Sequence, residues 1–150
     1  MQSEDILSFI KLNNRIFRST QIYLDRLLKK YDLSSGTYPY LFRLMHHDGI
    51  SQNQLSQELG HDKAMTTRTI CRLVELGYLR REKDQDNHRA NKIYLTDKAR
   101  QVIPAVKSDL YGLAALITAD LSEEEKNITM SSLTKINQKL QTLAHHKEDL

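Results

Sequence analysis

Between Asp62 and Lys92 the chain carries eight basic side chains, Lys63, Arg68, Arg72, Arg80, Arg81, Lys83, Arg89 and Lys92, against five acidic ones. That local excess equals the formal charge of the whole 150-residue chain, +3, so the remainder is formally neutral. Clustered positive charge is what a phosphate-facing surface requires, while a merely solvated charged face is the competing reading. The residue types add to the charge. An arginine can hydrogen-bond O6 and N7 of one guanine together, and a threonine can meet a phosphate oxygen or a thymine methyl. In KAMTTRTICRLVEL, residues Thr66, Ile70, Leu73 and Leu76 recur on one side of a helix. Ala64 and Arg68 then point away from that side, Thr67 flanks them, and Lys63 shares the same first turns. Arg68 is the expected base reader. Arg72, one turn on, is expected to meet backbone phosphate or to be held internally.

No other set of reactive side chains matches this one. A nucleophile elbow, a phosphate-cradling glycine loop and an HExxH pattern are all missing from the sequence, so an enzyme is not expected and no cofactor is implied. His46-His47 and His145-His146 are adjacent pairs, and neighbours on a helix project about 100° apart, which keeps either pair from sharing one ion. No metal site is expected. Cys71 is the single cysteine, which rules out an intrachain disulfide and suits a reducing compartment. Its place beside Arg72 admits two readings, a reactive thiol or a partly buried structural one.

The composition, 39% hydrophobic and 27% charged, is that of an ordered globular chain and not a disordered one. No apolar run approaches the ~20 residues that span a bilayer. The start, MQSEDILSFI, lacks the basic, apolar and small-residue regions of a secretion signal. A cytoplasmic protein without a membrane partner is the expectation.

The elements that must position the basic cluster can be read from caps and periods. A long amphipathic helix is expected over about Glu4–Tyr31, with Leu33-Ser34-Ser35-Gly36 breaking it and offering a serine cap to the next helix. That helix has Pro39 in its first turn and ends near His47, before Asp48-Gly49. Ser51-Gln52-Asn53-Gln54 is a capping-box pattern that opens a short helix to Leu59, closed by Gly60. Asp62 caps the next helix, Lys63–Leu76, and Gly77 terminates it. Two helices joined by so few residues have helix-turn-helix spacing. YLRRE and NKIYLT then read as two strands around the polar DQDNHRA, a hairpin directly after the second helix and therefore a wing. Arg80, Arg81, Lys83, His88 and Lys92 are wing and phosphate candidates, and Arg89 at the tip is a candidate for a narrowed minor groove. Thr96 caps a further helix, about Asp97–Ala119. Ser122-x-x-Glu125 opens the last one, with Leu133, Ile136, Leu140 and Leu143 along one side.

The expected fold is mainly α: a winged helix-turn-helix with a two-stranded β-wing, flanked by long N- and C-terminal helices. The division expected is residues 1–34 as an N-terminal dimerisation helix, 35–96 as the DNA-binding lobe and 97–150 as C-terminal dimerisation helices. Three apolar stripes at the termini need partners, and a two-fold homodimer supplies them. An antiparallel bundle closed within one chain is the alternative.

The stretch from Leu55 to Thr96, LSQELGHDKAMTTRTICRLVELGYLRREKDQDNHRANKIYLT, resembles the winged-helix core of the MarR family of bacterial regulators. The matching residues are Leu55 and Leu59, Asp62-Lys63, Thr67-Arg68, Arg72-Leu73, Gly77, Asp84, Arg89 and Leu95-Thr96. The flanking helices and the LSEEE start of the last helix extend the likeness to nearly the whole chain. One departure falls in the wing, where the family's second acid is replaced by Asn87, with Asp86 beside it, and His88 stands where a basic residue is common.

The resemblance implies a bacterial, nucleoid-associated regulator that binds a pseudo-palindromic operator in double-stranded DNA as a homodimer, as a repressor. It also implies a small aromatic ligand as the releasing signal, with Arg15, Phe17, Tyr38, Tyr40 and Phe42 as candidate lining. The same side chains simply filling the core is the competing reading. A winged-helix module that binds another regulator and not DNA is the alternative function.

Overall fold

The structure is a computed structural model and describes residues 3–87 and 90–145. Two compact units divide it, Met1–Leu110 and Tyr111–Leu150. In the first, helix α1 (Ser3–Leu28) is followed by a 3-10 turn (Lys29–Tyr31), α2 (Tyr38–His46), strand β1 (Ile50–Ser51), α3 (Gln52–Leu59), α4 (Lys63–Glu75), β2 (Leu79–Lys83), β3 (Asn91–Leu95) and most of α5 (Asp97–Ile117). The second holds the end of α5 and helix α6 (Glu123–His145).

The core of the first unit is built where the apolar sides of these elements converge. Leu41 and Leu44 of α2, Leu55 of α3, Ile70 and Leu73 of α4, and Leu79 and Ile93 of the sheet are all essentially inaccessible. Leu28 at the end of α1 joins them, as do Ala99, Ile103 and Val106 of α5. Each of the leucine, isoleucine and valine side chains contributes roughly 1.5–3 kcal/mol by leaving water, so the winged lobe is held from both flanks as well as from within. Polar ties reinforce the flanks. The Tyr31 hydroxyl donates to Asp109 Oδ2 at 2.7 Å, and Lys30 pairs with the same carboxylate at 2.8 Å. The Lys30 ammonium and the Tyr31 hydroxyl together hold the Asp109 carboxyl below its ordinary range. The Tyr78 hydroxyl reaches back to the Tyr31 carbonyl at 2.7 Å.

Most expected caps are in place. Ser51 Oγ accepts the Gln54 N–H at 3.1 Å, and Asp62 Oδ1 accepts the Met65 N–H at 2.7 Å. Thr96 Oγ1 accepts from Ala99 N at 3.2 Å. In the second unit the Ser122–Glu125 box is complete: Glu125 N donates to Ser122 Oγ at 3.2 Å and Ser122 N to Glu125 Oε2 at 2.8 Å. At the end of α4, Tyr78 N bonds Leu73 O and Gly77 N bonds Val74 O, both at 2.9 Å. This paired closure needs a left-handed residue, which Gly77 provides at φ 78°.

Three details differ from expectation. The serine cap on α2 does not form: Thr37 stands at the cap position and makes no side-chain cap bond. The Thr37 hydroxyl is turned back into the preceding loop, where Ser34 N donates to it at 2.8 Å, a local bond that competes with capping. The box at Ser51 is half formed: the Gln54 side chain extends forward, its Nε2 donating to Glu58 Oε1 at 3.0 Å, and accepts no bond from the Ser51 N–H. The sheet has three strands and not two, in the order β1-β3-β2 and antiparallel throughout. β1 adds Ile50 opposite Ile93 and Ser51 opposite Lys92. Gly49, just before it, lies under the Tyr94 ring: a Cβ there would fall 2.6 Å from Tyr94 Cε1. Only glycine allows that approach.

α1 leaves Ile6, Phe9, Ile10, Leu12, Ile16 and Phe17 exposed. In the second unit Ile128, Met130, Leu133, Leu140 and Leu143 of α6 are exposed as well. No described helix is long and apolar enough to cross a membrane.

Candidate nucleic-acid interface

The turn between α3 and α4 is fixed before any ligand arrives. His61 N bonds Ser56 O at 3.1 Å, and the Ser56 hydroxyl donates to the His61 carbonyl at 2.6 Å. The buried Tyr40 hydroxyl lies 2.8 Å from His61 Nδ1 and donates toward Thr66 Oγ1 at 3.4 Å. This ties α2 to both the turn and the inner face of α4. On the α2–α3 side, Arg43 and Gln54 bind the Glu58 carboxylate, with His47 Nδ1 at 3.4 Å. The Arg43 guanidinium, then Gln54 and His47, hold that carboxyl down at about 2.

With Thr66, Ile70 and Leu73 turned inward, the first turns of α4 present Lys63, Ala64, Thr67 and Arg68 to solvent. The Lys63 and Arg68 side chains have no ion-pair or hydrogen-bond partner among the described residues. The Thr67 hydroxyl, by contrast, is engaged: it donates to Lys63 O at 2.9 Å and accepts from Gln52 Nε2 at 2.7 Å. Arg72 is exposed and only loosely paired, 3.7 Å from Glu75.

In the hairpin, register runs from Leu79 opposite Leu95 to Lys83 opposite Asn91. Only Leu79 of β2 is buried, so the strand beyond its root stands out from the core. Its cations differ in freedom. Arg80 stacks on Tyr94, 4.4 Å from the ring centre, and pairs with Glu82. Arg81 turns back to α4, where its guanidinium donates to Cys71 Sγ at 2.9 Å. The arginine against the half-buried cysteine is therefore Arg81 from the wing, not the sequence neighbour Arg72. Lys92 is 3.9 Å from Asp84. Lys83 is exposed and unpaired among the described residues. At the tip, Asp84 N bonds Ala90 O and Ala90 N bonds Asn87 O, both at 2.9 Å. His88 and Arg89 lie outside the described residues.

The five ligand-lining candidates are placed differently from one another. Arg15 and Phe17 are exposed on α1, and Tyr40 is wholly buried in the core. Tyr38 and Phe42 are half-buried and meet edge-to-face at 5.6 Å, and burial pushes the Tyr38 hydroxyl up. Among the described residues no group of three metal-ligating side chains converges. Sequence reading missed Gln52 as a member of this surface. Its one signal was position, directly after the Ser51 cap and hence in the first turn of α3.

A helix capped at Asp62, packed across α3 and followed at once by a β-hairpin, defines the winged helix-turn-helix class of proteins. Within that class the chain belongs to the MarR family. The model of that family matches residues 31–90. The chain is 35% identical over 102 residues to the HTH-type transcriptional regulator BilQ of Clostridioides difficile, covering 68% of each chain. It is similar to the crystal structure of a MarR transcriptional regulator from Methanosarcina mazei, with a TM-score of 0.80 and 31% identity over 90% of this chain and 99% of that one. A MarR-family regulator from Listeria monocytogenes, solved with 26mer DNA, shares the fold at TM-score 0.80 and 21% identity, covering 93% of this chain and 94% of that one.

Proposed function

We propose that this chain is a sequence-specific, DNA-binding transcription regulator that works as a homodimer. The observation that carries the reading is the surface of α4: Lys63, Ala64, Thr67 and Arg68 are exposed on a helix whose base is locked by the Asp62 cap and the Tyr40–His61 contact. First turns of such a helix enter the major groove in helix-turn-helix proteins. The unpaired Arg68 guanidinium suits guanine, while Arg72 and Lys83 suit phosphate. The DNA complex of the Listeria relative supports the same direction.

The exposed apolar residues of α1 and α6 are those a second copy would cover, which supports residues 1–34 and 97–150 as dimerisation segments around the lobe 35–96. Two copies would read two half-sites about one helical turn apart. Arg89 is proposed to enter the minor groove at the wing tip. Repression in the cytoplasm, relieved by a small aromatic molecule held near Tyr38 and Phe42, completes the reading. Such a ligand acts only by favouring a dimer geometry with the wrong spacing between recognition helices.

A gel shift with DNA flanking the chain's own gene tests the proposal. A salt-sensitive complex that survives unrelated competitor DNA is expected. Its absence would point to a module that binds another regulator.

A further inference from the structure

The structure assigns Thr67 as a reader of a thymine methyl, and Gln52 as the positioning residue that turns Thr67 to that task. This rests on the DNA-binding reading and names a base preference within it. The Thr67 hydroxyl donates to Lys63 O at 2.9 Å and accepts from Gln52 Nε2 at 2.7 Å. A hydroxyl has a single proton to give, and a phosphate oxygen can only accept. Thr67 therefore cannot bond a phosphate without abandoning the Lys63 carbonyl. Reversing the Gln52 amide does not release it, because the proton would then go to Gln52 Oε1.

What Thr67 keeps for an outside partner is its γ-methyl and one lone pair. Threonine in a helix divides between two χ1 wells. A second bond from Gln52, on another helix, selects the well in which the hydroxyl lies toward α3. Thr67 is exposed, and Ala64, one turn earlier, is small and exposed, which leaves room beside Thr67 for a base to approach. Among the four bases only thymine offers a methyl group in the major groove. Gln52, half-buried in the first turn of α3, thus sets what α4 reads without itself needing to touch a base.

The experiment begins by selecting a preferred site for the full-length protein from random duplex DNA. Each thymine of that site is then replaced singly by deoxyuridine, which removes only the methyl. Wild-type affinity should fall about fourfold at one position per half-site, the worth of one buried methyl. Thr67→Ser keeps the hydroxyl and both its bonds, and should bind thymine and uracil DNA equally. Thr67→Val keeps a methyl and should still discriminate. Gln52→Ala should reduce discrimination to about twofold or less with the salt slope unchanged, circular dichroism showing each variant folded. Discrimination retained by Thr67→Ser overturns the methyl assignment. A Gln52→Ala protein that loses affinity for both DNAs equally overturns the positioning role. If wild type selects no sequence at all, the DNA-binding reading itself falls, and this inference with it.

Discussion

The recognition helix and the wing carry similar charge but are held in opposite ways. α4 is fixed from beneath by Ile70 and Leu73, from its start by Asp62 and from its end by the Gly77 closure. Its outward cations, Lys63 and Arg68, are left unpaired among the described residues. β2 has one buried residue, at its root, and most of its cations are already engaged, Arg80 with Tyr94 and Glu82, Arg81 with Cys71. A rigid base with free tips suits base reading, where a fixed geometry is needed to tell one edge from another. A projecting strand whose Arg80 and Arg81 are committed suits a smaller and less specific contribution through phosphate. The Arg81–Cys71 contact also ties the wing to α4, so the two parts share one anchor.

The strongest way to break the contrast is to remove what lies under α4. Leu73→Ala should cost 2–5 kcal/mol of stability, roughly the worth of a fully buried leucine and its cavity, measured by denaturant unfolding. An effect under about 1 kcal/mol would mean the helix is not held from below. Arg68→Ala should leave stability intact and cost roughly 1–3 kcal/mol in binding to a preferred site, with relaxed sequence preference. Equal losses on specific and random DNA would place Arg68 on the backbone. Asp62→Ala removes the cap and should destabilise by about 1 kcal/mol, with DNA affinity falling as the first turn frays. On the wing, Lys83→Ala and Arg89→Ala should each lower the slope of log affinity against log salt by about one unit while leaving preference on the α4-contacted bases unchanged. A flat response would remove that residue from the interface.

The smallest effect is one of pH. Glu58 is held at about 2, from an ordinary 4.5, chiefly by Arg43. A carboxyl depressed on folding contributes stability above its unfolded value and loses it as pH falls through the folded one. Acid should therefore weaken the α2–α3 junction between about pH 4.5 and 2. Glu58→Gln should flatten the stability profile over that window; an unaltered profile would show that the pair contributes nothing.

Much of the fold was legible because it is written in local chemistry. Asp62, Gly77, Thr96 and the Ser122–Glu125 pair act within a few residues of themselves, and the apolar side of α4 repeats at the helical period. Local signals failed where a side chain had a choice of partner. The serine cap expected for α2 does not form, with Thr37 at that position bonded to Ser34 instead, and Gln54 turns to Glu58 and not to the cap it was expected to serve. β1, only two residues long, has no period to read and exists because β3 offers it an edge.

The basic cluster between Asp62 and Lys92 is visible by counting, but counting treats its members as equal. By itself the sequence determined the helix-turn-helix, the hairpin, and which face of α4 is turned outward, because caps and periodicity act over a few residues. Tertiary structure alone decided which cations are free. It set Arg81 against Cys71, Arg80 over Tyr94 and Gln52 on the Thr67 hydroxyl, contacts made across elements. Ten or more residues of chain separate each pair, and no spacing rule reaches that far.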